Sequence, residues 1–332
     1  MNILVTGGAG YVGSHACCAL RAAGYTPVTY DNLSRGFRGL VRFGPFEQGD
    51  ILDAPRLIEV FERHRPAAVM QFAALAHVGE SVEKPLDYYR NNFDGALSLV
   101  AAMRSCGVDK LVFSSTCATY GTPDGMPIAE TCPQSPINPY GRSKLMVEQA
   151  LQDASAAHGL RSVSLRYFNA CGAHPSGGIG ELHRPETHLI PCVLMAASGE
   201  IDAIDIFGTD YPTADGTAVR DYIHVCDLAD AHVAALRYLE AGGETTALNL
   251  GTGRGHSVRE IVDSATRVTG CAPASRFAAR RAGDPPMLVA DATAANRVLN
   301  FTPGWTKIDR IVESAWAWHR SPARTALVAA DS

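Results

Sequence analysis

The chain has 332 residues, 46% hydrophobic and 19% charged, with a formal net charge of −5 and a pI near 6.1. That balance supports a substantial folded core and argues against nucleic acid as the main partner. Nine cysteines, scattered singly apart from Cys17-Cys18 and without a Cys-x-x-Cys pair, argue for reduced, buried thiols and against a disulfide framework or a cysteine-based zinc site.

Taken in chain order, residues 2–7 read as a buried strand, 13–24 as a helix ending at Gly24, and 26–31 as a second strand. Further strands are expected at 46–50 and 67–74, around a helix at 54–65. Residues 85–107 read as one long helix, 110–115 as a strand, and the chain then loops to Asn138. A helix from Pro139 to about His158 is well marked, because Asn138 is a good N-cap and Pro139 suits the first helical position. A strand follows at 160–168. Alternation of helices with near-continuous apolar strands predicts a parallel sheet covered on both faces.

After Asn169 the texture changes. Residues 170–188 are rich in Gly, Pro and His and read as a loop over a site. Residues 221–240 and 246–253 read as a helix and a strand of the main layer. The expected division is therefore 1–175 as a nucleotide-binding domain to which 221–251 returns. Residues 176–220 and 252–320 form a smaller unit of short, irregular elements, and 321–332 is a frayed tail. Neither a basic leader nor an apolar run of membrane-spanning length is visible, so a soluble cytoplasmic protein is expected.

Gly7-x-x-Gly10-x-x-Gly13 lies directly between the first strand and the first helix. Glycines there let the backbone approach a pyrophosphate, which the helix N-terminus then binds. Asp31 ends the second strand, 24 residues after Gly7. A carboxylate at that place accepts a ribose hydroxyl and repels a 2′-phosphate, which favours NAD over NADP. Nearby Arg35 and Arg38 read as part of a solvated loop. Asp50 suits either an adenine amino group or the N-cap of the helix at Ala54.

Tyr140 and Lys144 are one helical turn apart and share a face. The pair alone is not informative. It gains meaning from Thr116, which follows the strand ending "FSS", where ligands of such sheets gather. Threonine, tyrosine and lysine together make an acid–base set: the phenol moves a proton, the ammonium favours the phenolate, and the hydroxyl orients the substrate oxygen. Bringing a tyrosine from ~10 to near 7 would be worth ~4 kcal/mol.

The segments 6–15, 31–34, 78–92, 114–121, 139–148 and 165–177 together resemble an extended short-chain dehydrogenase/reductase, and 206–232 and 280–286 extend the likeness to its UDP-sugar 4-epimerases. The resemblance implies a doubly wound α/β Rossmann sheet with a smaller α/β substrate-binding domain. It implies tightly bound NAD and reversible epimerisation at C4 of UDP-glucose and UDP-galactose through a 4-keto sugar, with Tyr140, Lys144 and Thr116 as catalytic residues. It places the cofactor on Gly7, Gly10, Tyr11, Val12, Gly13, Asp31, Asn32, Asp50, Ile51, Ala73, Asn92, Ser114, Tyr140, Lys144 and Tyr167. The substrate falls on Thr116, Tyr140, Asn169, His188, Leu189, Phe207, Arg220, Arg281 and Asp284. Arg220 has a second reading as a surface ion pair with Asp221, and Tyr167 and Phe168 have one as core aromatics.

Two positions depart from the family pattern. Ala76, followed by His77, stands where many members carry a cofactor-contacting lysine. Leu288 stands where tyrosine or a small residue sets the size limit at the sugar's C2 substituent. His174, His183 and His188 suggest a metal at first sight, but the irregular loop and a reaction that needs no metal lead us to expect none. A homodimer through the helices at 85–107 and 139–158 is implied. A UDP-xylose/UDP-arabinose or UDP-N-acetylglucosamine 4-epimerase is an open alternative. Cys117-Ala118 after Thr116 lack the carboxylate pair of a sugar-nucleotide dehydratase, and Tyr140 with Lys144 would have no use in a nucleotide sensor.

Overall fold

The computed structural model describes residues 1–281 and 284–330. The first stretch contains β1 (Asn2–Thr6), α1 (Tyr11–Ala22), β2 (Thr26–Asp31), β3 (Phe46–Gln48), α2 (Ala54–His64) and β4 (Ala68–Gln71). Then come α3 (Val78–Glu83), α4 (Pro85–Tyr88), one turn of π-helix at Tyr89–Asp94, α5 (Gly95–Ser105), β5 (Lys110–Thr116), α6 (Pro139–His158), β6 (Arg161–Tyr167) and β7 (Asn169–Cys171). The remainder is α7 (Leu189–Ser198), β8 (Ile204–Phe207), β9 (Val219–His224), α8 (Val225–Glu240), β10 (Thr246–Leu250), β11 (Gly255–Ser257) and α9 (Val258–Thr269). It closes with β12 (Ser275–Ala278), β13 (Met287–Leu288), α10 (Thr293–Leu299), α11 (Ile308–His319) and α12 (Pro322–Ala330).

Seven strands form one parallel sheet in the order β10-β6-β5-β4-β1-β2-β3. The chain moves outward from β1 to β3 and then crosses to β4. The carboxyl ends of β1 and β4 therefore border the crevice where such sheets bind ligands. Both faces are covered. Leu20 of α1, Leu228 and Leu236 of α8 and Leu299 of α10 pack on one face. Leu57 and Phe61 of α2, Leu99 and Met103 of α5, and Val147 and Leu151 of α6 pack on the other. A third cluster joins Val193 of α7, Ile261 of α9 and Val312 of α11 to Ile206 and Tyr222. Beside it β9 carries β11, β13 and β7, and β8 pairs with β12.

Several expectations need correction. The helix at 85–107 is interrupted, because Asn92 turns its side chain inward to bind Leu75 and the backbone widens into the π turn. Residues 221–224 are strand, with helix beginning only at Val225. The His224 ring accepts the Cys226 N–H (3.1 Å) and caps α8. Among the described residues, the 176–220 and 252–320 stretches hold four helices, α7, α9, α10 and α11. The tail is not frayed over 322–330: Leu327 packs with Phe37, Leu40 and Trp318, and lies so close to Gly39 that a Cβ there would sit 2.0 Å from it.

Behind the carboxyl end of β5 lies a buried ion pair. Arg166 on β6 donates Nε and Nη2 to Glu148 on α6 (2.6–3.1 Å), and Ser115 Oγ donates to the same carboxylate. Both charged groups are dry, so each depends on the other. Replacing Glu148 with Gln is expected to cost about 3 kcal/mol in urea unfolding; a loss below about 1 kcal/mol would mean the pair is not what locks α6 to β6.

Candidate active site

The phosphate loop shows three glycines under different constraints. Gly7 has φ of 75°, and a Cβ on it would meet the Ala73 amide at 2.4 Å. A Cβ on Gly13 would lie 2.2 Å from the Gly7 carbonyl. Both are therefore required by the chain's own packing. At Gly10 the nearest protein atom to an added Cβ is 3.4 Å away, so the chain's own packing does not require glycine there. Gly10 is also the N-cap of α1 and offers no side-chain cap, which leaves the first N–H groups of the helix free to bind an anion. Tyr11 donates its hydroxyl to the Gly172 carbonyl (2.6 Å), and Val12 packs on the core.

At the end of β2, Asp31 accepts from the amides of Ala9 (3.0 Å) and Leu33 (2.8 Å). Burial raises its pKa, and these two bonds oppose the rise. Asn32 donates to Asp50 (2.8 Å), whose other oxygen accepts the Leu52 amide (2.9 Å). Asp50 does not cap α2; Asp53 does, accepting from Arg56 N. Ile51 packs beneath, so close to Gly95 that a Cβ there would clash at 2.6 Å. Arg35 pairs with Glu80 (2.7 and 2.9 Å) and Arg38 stacks on Phe46.

The catalytic set gathers at the carboxyl end of β5. Asn138 caps α6 by accepting the Gly141 amide (2.8 Å). A Cβ on Gly141 would sit 2.5 Å from the Ala118 carbonyl, so glycine lets α6 seat against the turn after Thr116. Tyr140 and Lys144 are then both buried, at 9% and 4% exposure. Lys144 donates Nζ to the Ser114 carbonyl (2.8 Å) over the ring of Phe113. Ser114 Oγ bonds the Tyr167 hydroxyl (2.6 Å). Burial raises the Tyr140 pKa above its ordinary value, with Tyr167 adding to the rise and the Thr116 hydroxyl opposing it. Burial brings Lys144 down to about 7, against the pull of Glu148. Burial thus disfavours the charged form of each group, the phenolate and the ammonium alike. A positive charge brought beside them would favour the phenolate.

Asn92 is saturated by protein. It binds both the N–H and the C=O of Leu75 and donates to Ser143 Oγ (3.1 Å), which itself donates to the Tyr140 carbonyl. Its side chain therefore positions α6 and leaves no donor for a cofactor. Ala76 is exposed. His77 precedes α3, its ring 6.0 Å from those of His183 and His188.

On the other side of the crevice, Asn169 opens β7 and Leu189 opens α7. Arg220 donates to Asp284 and to the Pro285 carbonyl (2.8 Å). Its alternative partner Asp221 is fully buried and is occupied by Thr252, Gly253 and Ala290. Arg281 lies over the Phe207 ring at 4.0 Å. Leu288 and Phe168 pack with Cys117 in one buried apolar cluster. His188 turns toward Glu181 and Glu186.

This geometry is that of a dinucleotide-binding α/β fold with Thr116, Tyr140 and Lys144 gathered at the carboxyl end of one parallel strand. The chain belongs to the NAD dependent epimerase/dehydratase family, the extended short-chain dehydrogenases/reductases, whose description matches residues 3–251. It is 54% identical over 318 residues to the UDP-glucose 4-epimerase of Rhizobium meliloti (strain 1021), covering 96% of this chain and 97% of that one. The crystal structure of the UDP-glucose 4-epimerase from Brucella ovis in complex with NAD superposes with a TM-score of 0.93 at 53% identity, covering 95% and 97% of the two chains. That of the Stenotrophomonas maltophila UDP-glucose-4-epimerase, with bound NAD and formylated UDP-arabinopyranose, gives 0.94 at 43% identity, covering 98% and 99%.

Sequence reasoning missed Glu148 and Arg166. Glu148 is four residues after Lys144 on the same face, and that spacing is a usable signal; nothing local announces Arg166 as its partner. The glycine analysis yields a paired test. Gly13→Ala is expected to yield no folded protein. Gly10→Ala is expected to fold, with NAD affinity reduced at least about tenfold, read as coenzyme released on denaturing the purified protein. Unchanged coenzyme content in Gly10→Ala would remove that glycine from the site.

Proposed function

We propose that the protein is a UDP-glucose 4-epimerase that interconverts UDP-glucose and UDP-galactose with resident NAD. One observation carries the reading: Thr116, Tyr140 and Lys144 sit together at the mouth of a dinucleotide loop, with Arg220 and Arg281 across the crevice. NAD, when bound, supplies a hydride acceptor and a positive ring. Gly7, Gly10 and Gly13 with the α1 N-terminus would hold its pyrophosphate, and Asp31 its adenosine ribose.

Tyr140 then accepts the proton of the sugar's 4-hydroxyl as the C4 hydride leaves, and returns it when hydride is delivered to the opposite face. Thr116 orients that oxygen. Lys144 stays anchored on the Ser114 carbonyl and stabilises the phenolate. Burial disfavours the phenolate, and cationic neighbours would favour it, so the base is more readily available in the loaded site. Arg220 and Arg281 suit the UDP diphosphate by charge and fork geometry. Such an arrangement holds the nucleotide firmly while the sugar turns.

A homodimer through α5 and α6 completes the proposal. Leu97 on α5 is 43% exposed, and an apolar groove of about 380 Å³ lies between Tyr89, Pro136, Leu145 and Met146. We place the protein in the cytoplasm; its cysteines are unpaired, and no helix among the described residues is long and apolar enough to cross a membrane.

Tyr140→Phe is expected to keep NAD and lose about 10³-fold in turnover of UDP-galactose, followed by chromatography of the product. Turnover within about tenfold of the parent would reject Tyr140 as the acid–base. Replacing Leu97 and Leu145 together with Glu is expected to give monomers in sedimentation; an unchanged dimer would place the interface elsewhere.

A further inference from the structure

The 170–188 stretch brings four side chains from one eight-residue span onto a common centre. One donor atom each from Glu181, His183, Glu186 and His188 falls within a cluster whose members are all within 4.8 Å of one another. His188 Nδ1 is 3.1 Å from Glu181 Oε1. His183 Nδ1 is 3.4 Å from Glu181 Oε1 and also 3.4 Å from Glu186 Oε2. Both carboxylates are nearly buried, at 7% and 10% exposure. His174, by contrast, turns away and bonds Ser176.

The detail that decides the reading is His183 Nδ1. This nitrogen is buried and has no partner in hydrogen-bond geometry, although two carboxylate oxygens flank it at equal distance. A histidine serving only as an ion-pair partner would close on one of them. Donors arrayed round a tetrahedral zinc at 2.0–2.1 Å are spaced roughly 3.3 Å apart, and the four nitrogen–oxygen separations of the cluster, 2.9, 3.1, 3.4 and 3.4 Å, lie around that value. Two carboxylates and two neutral imidazoles neutralise a divalent ion and form an N₂O₂ set that zinc accepts.

The surroundings hold the donors in place. Glu186 Oε1 accepts the amides of Thr187 (2.8 Å) and His188 (2.9 Å) and also bonds His188 Nδ1 (2.9 Å), while Oε2 is turned to His183. Trp318 Nε1 donates to the Glu181 carbonyl (2.8 Å). Such outer contacts are what fix ligands for a metal. The Tyr11 ring meets His183 edge-on at 6.1 Å, and His188 is the N-cap residue of α7.

We propose that Glu181, His183, Glu186 and His188 bind one structural zinc ion, which staples the 173–188 loop between the start of the cofactor helix α1 and the start of α7. The site takes no part in hydride or proton transfer. It also commits the His188 ring to the metal, so that His188 does not contact the UDP diphosphate through its side chain.

The test uses the full-length, untagged protein with its coenzyme, dialysed against zinc chloride, gel-filtered and analysed by plasma mass spectrometry. About one zinc per chain is expected, removable by chelator with a lower melting temperature. Cobalt(II) in its place is expected to show the strong visible bands of four-coordinate geometry. His183→Gln and Glu186→Gln should each lose the zinc and the bands, and His174→Gln should keep both. Should a Gln variant fail to fold, the first zinc–donor distance by X-ray absorption in the parent decides, with about 2.0 Å and imidazole scattering expected. Zinc below about a tenth of an equivalent in the parent, or equal zinc in the parent and His183→Gln, would overturn the proposal.

Discussion

A tyrosine and a lysine buried side by side at the carboxyl end of a parallel strand is the constraint on which the remaining architecture depends. Neither group is charged cheaply there, since burial favours the neutral phenol and the neutral amine alike. The fold spends several devices on holding them. Asn138 starts α6 at the right residue, Gly141 lets it seat against the Ala118 backbone, and Asn92 reaches from the π turn to Ser143. Lys144 is tied to the Ser114 carbonyl, and one turn further Glu148 is locked to Arg166. The result is a phenol and an amine held in fixed positions in a dry environment, which suits the acid–base role proposed for them.

Most of the nucleotide half was legible in the sequence because its signals are local. A strand, three glycines and a helix specify a phosphate loop within a dozen residues, and Asn138-Pro139 marks the start of α6 to the residue. That Thr116, Tyr140 and Lys144 come together was legible for a related reason: the hydroxyl ends a strand and the other two groups share one helix face. The family resemblance supplied the UDP side, where the local signals are weak.

What was not legible depended on contacts far apart in the chain. Asn92 breaks a helix because of Leu75, seventeen residues earlier. Residues 221–224 form a strand because β7, β11 and β13 pair with β9. Residues 322–330 are ordered by an apolar pocket around Phe37 and Trp318 that no local pattern announces. The Glu-x-His-x-x-Glu-x-His run fits no regular helix or strand, so its four side chains converge only once the loop is folded. The sequence reading set its histidines aside and grouped them with His174, which the structure sends elsewhere.

The central claim is that Lys144 and a bound cation turn a reluctant buried phenol into a base. The most direct measurement is the ionisation of Tyr140 in the coenzyme-loaded protein, taken as the ultraviolet difference between the parent and Tyr140→Phe across pH. The same measurement is then made with Lys144→Met in both. The account predicts that losing the lysine moves the phenol's midpoint to higher pH by at least about one pH unit. An unmoved midpoint would contradict it.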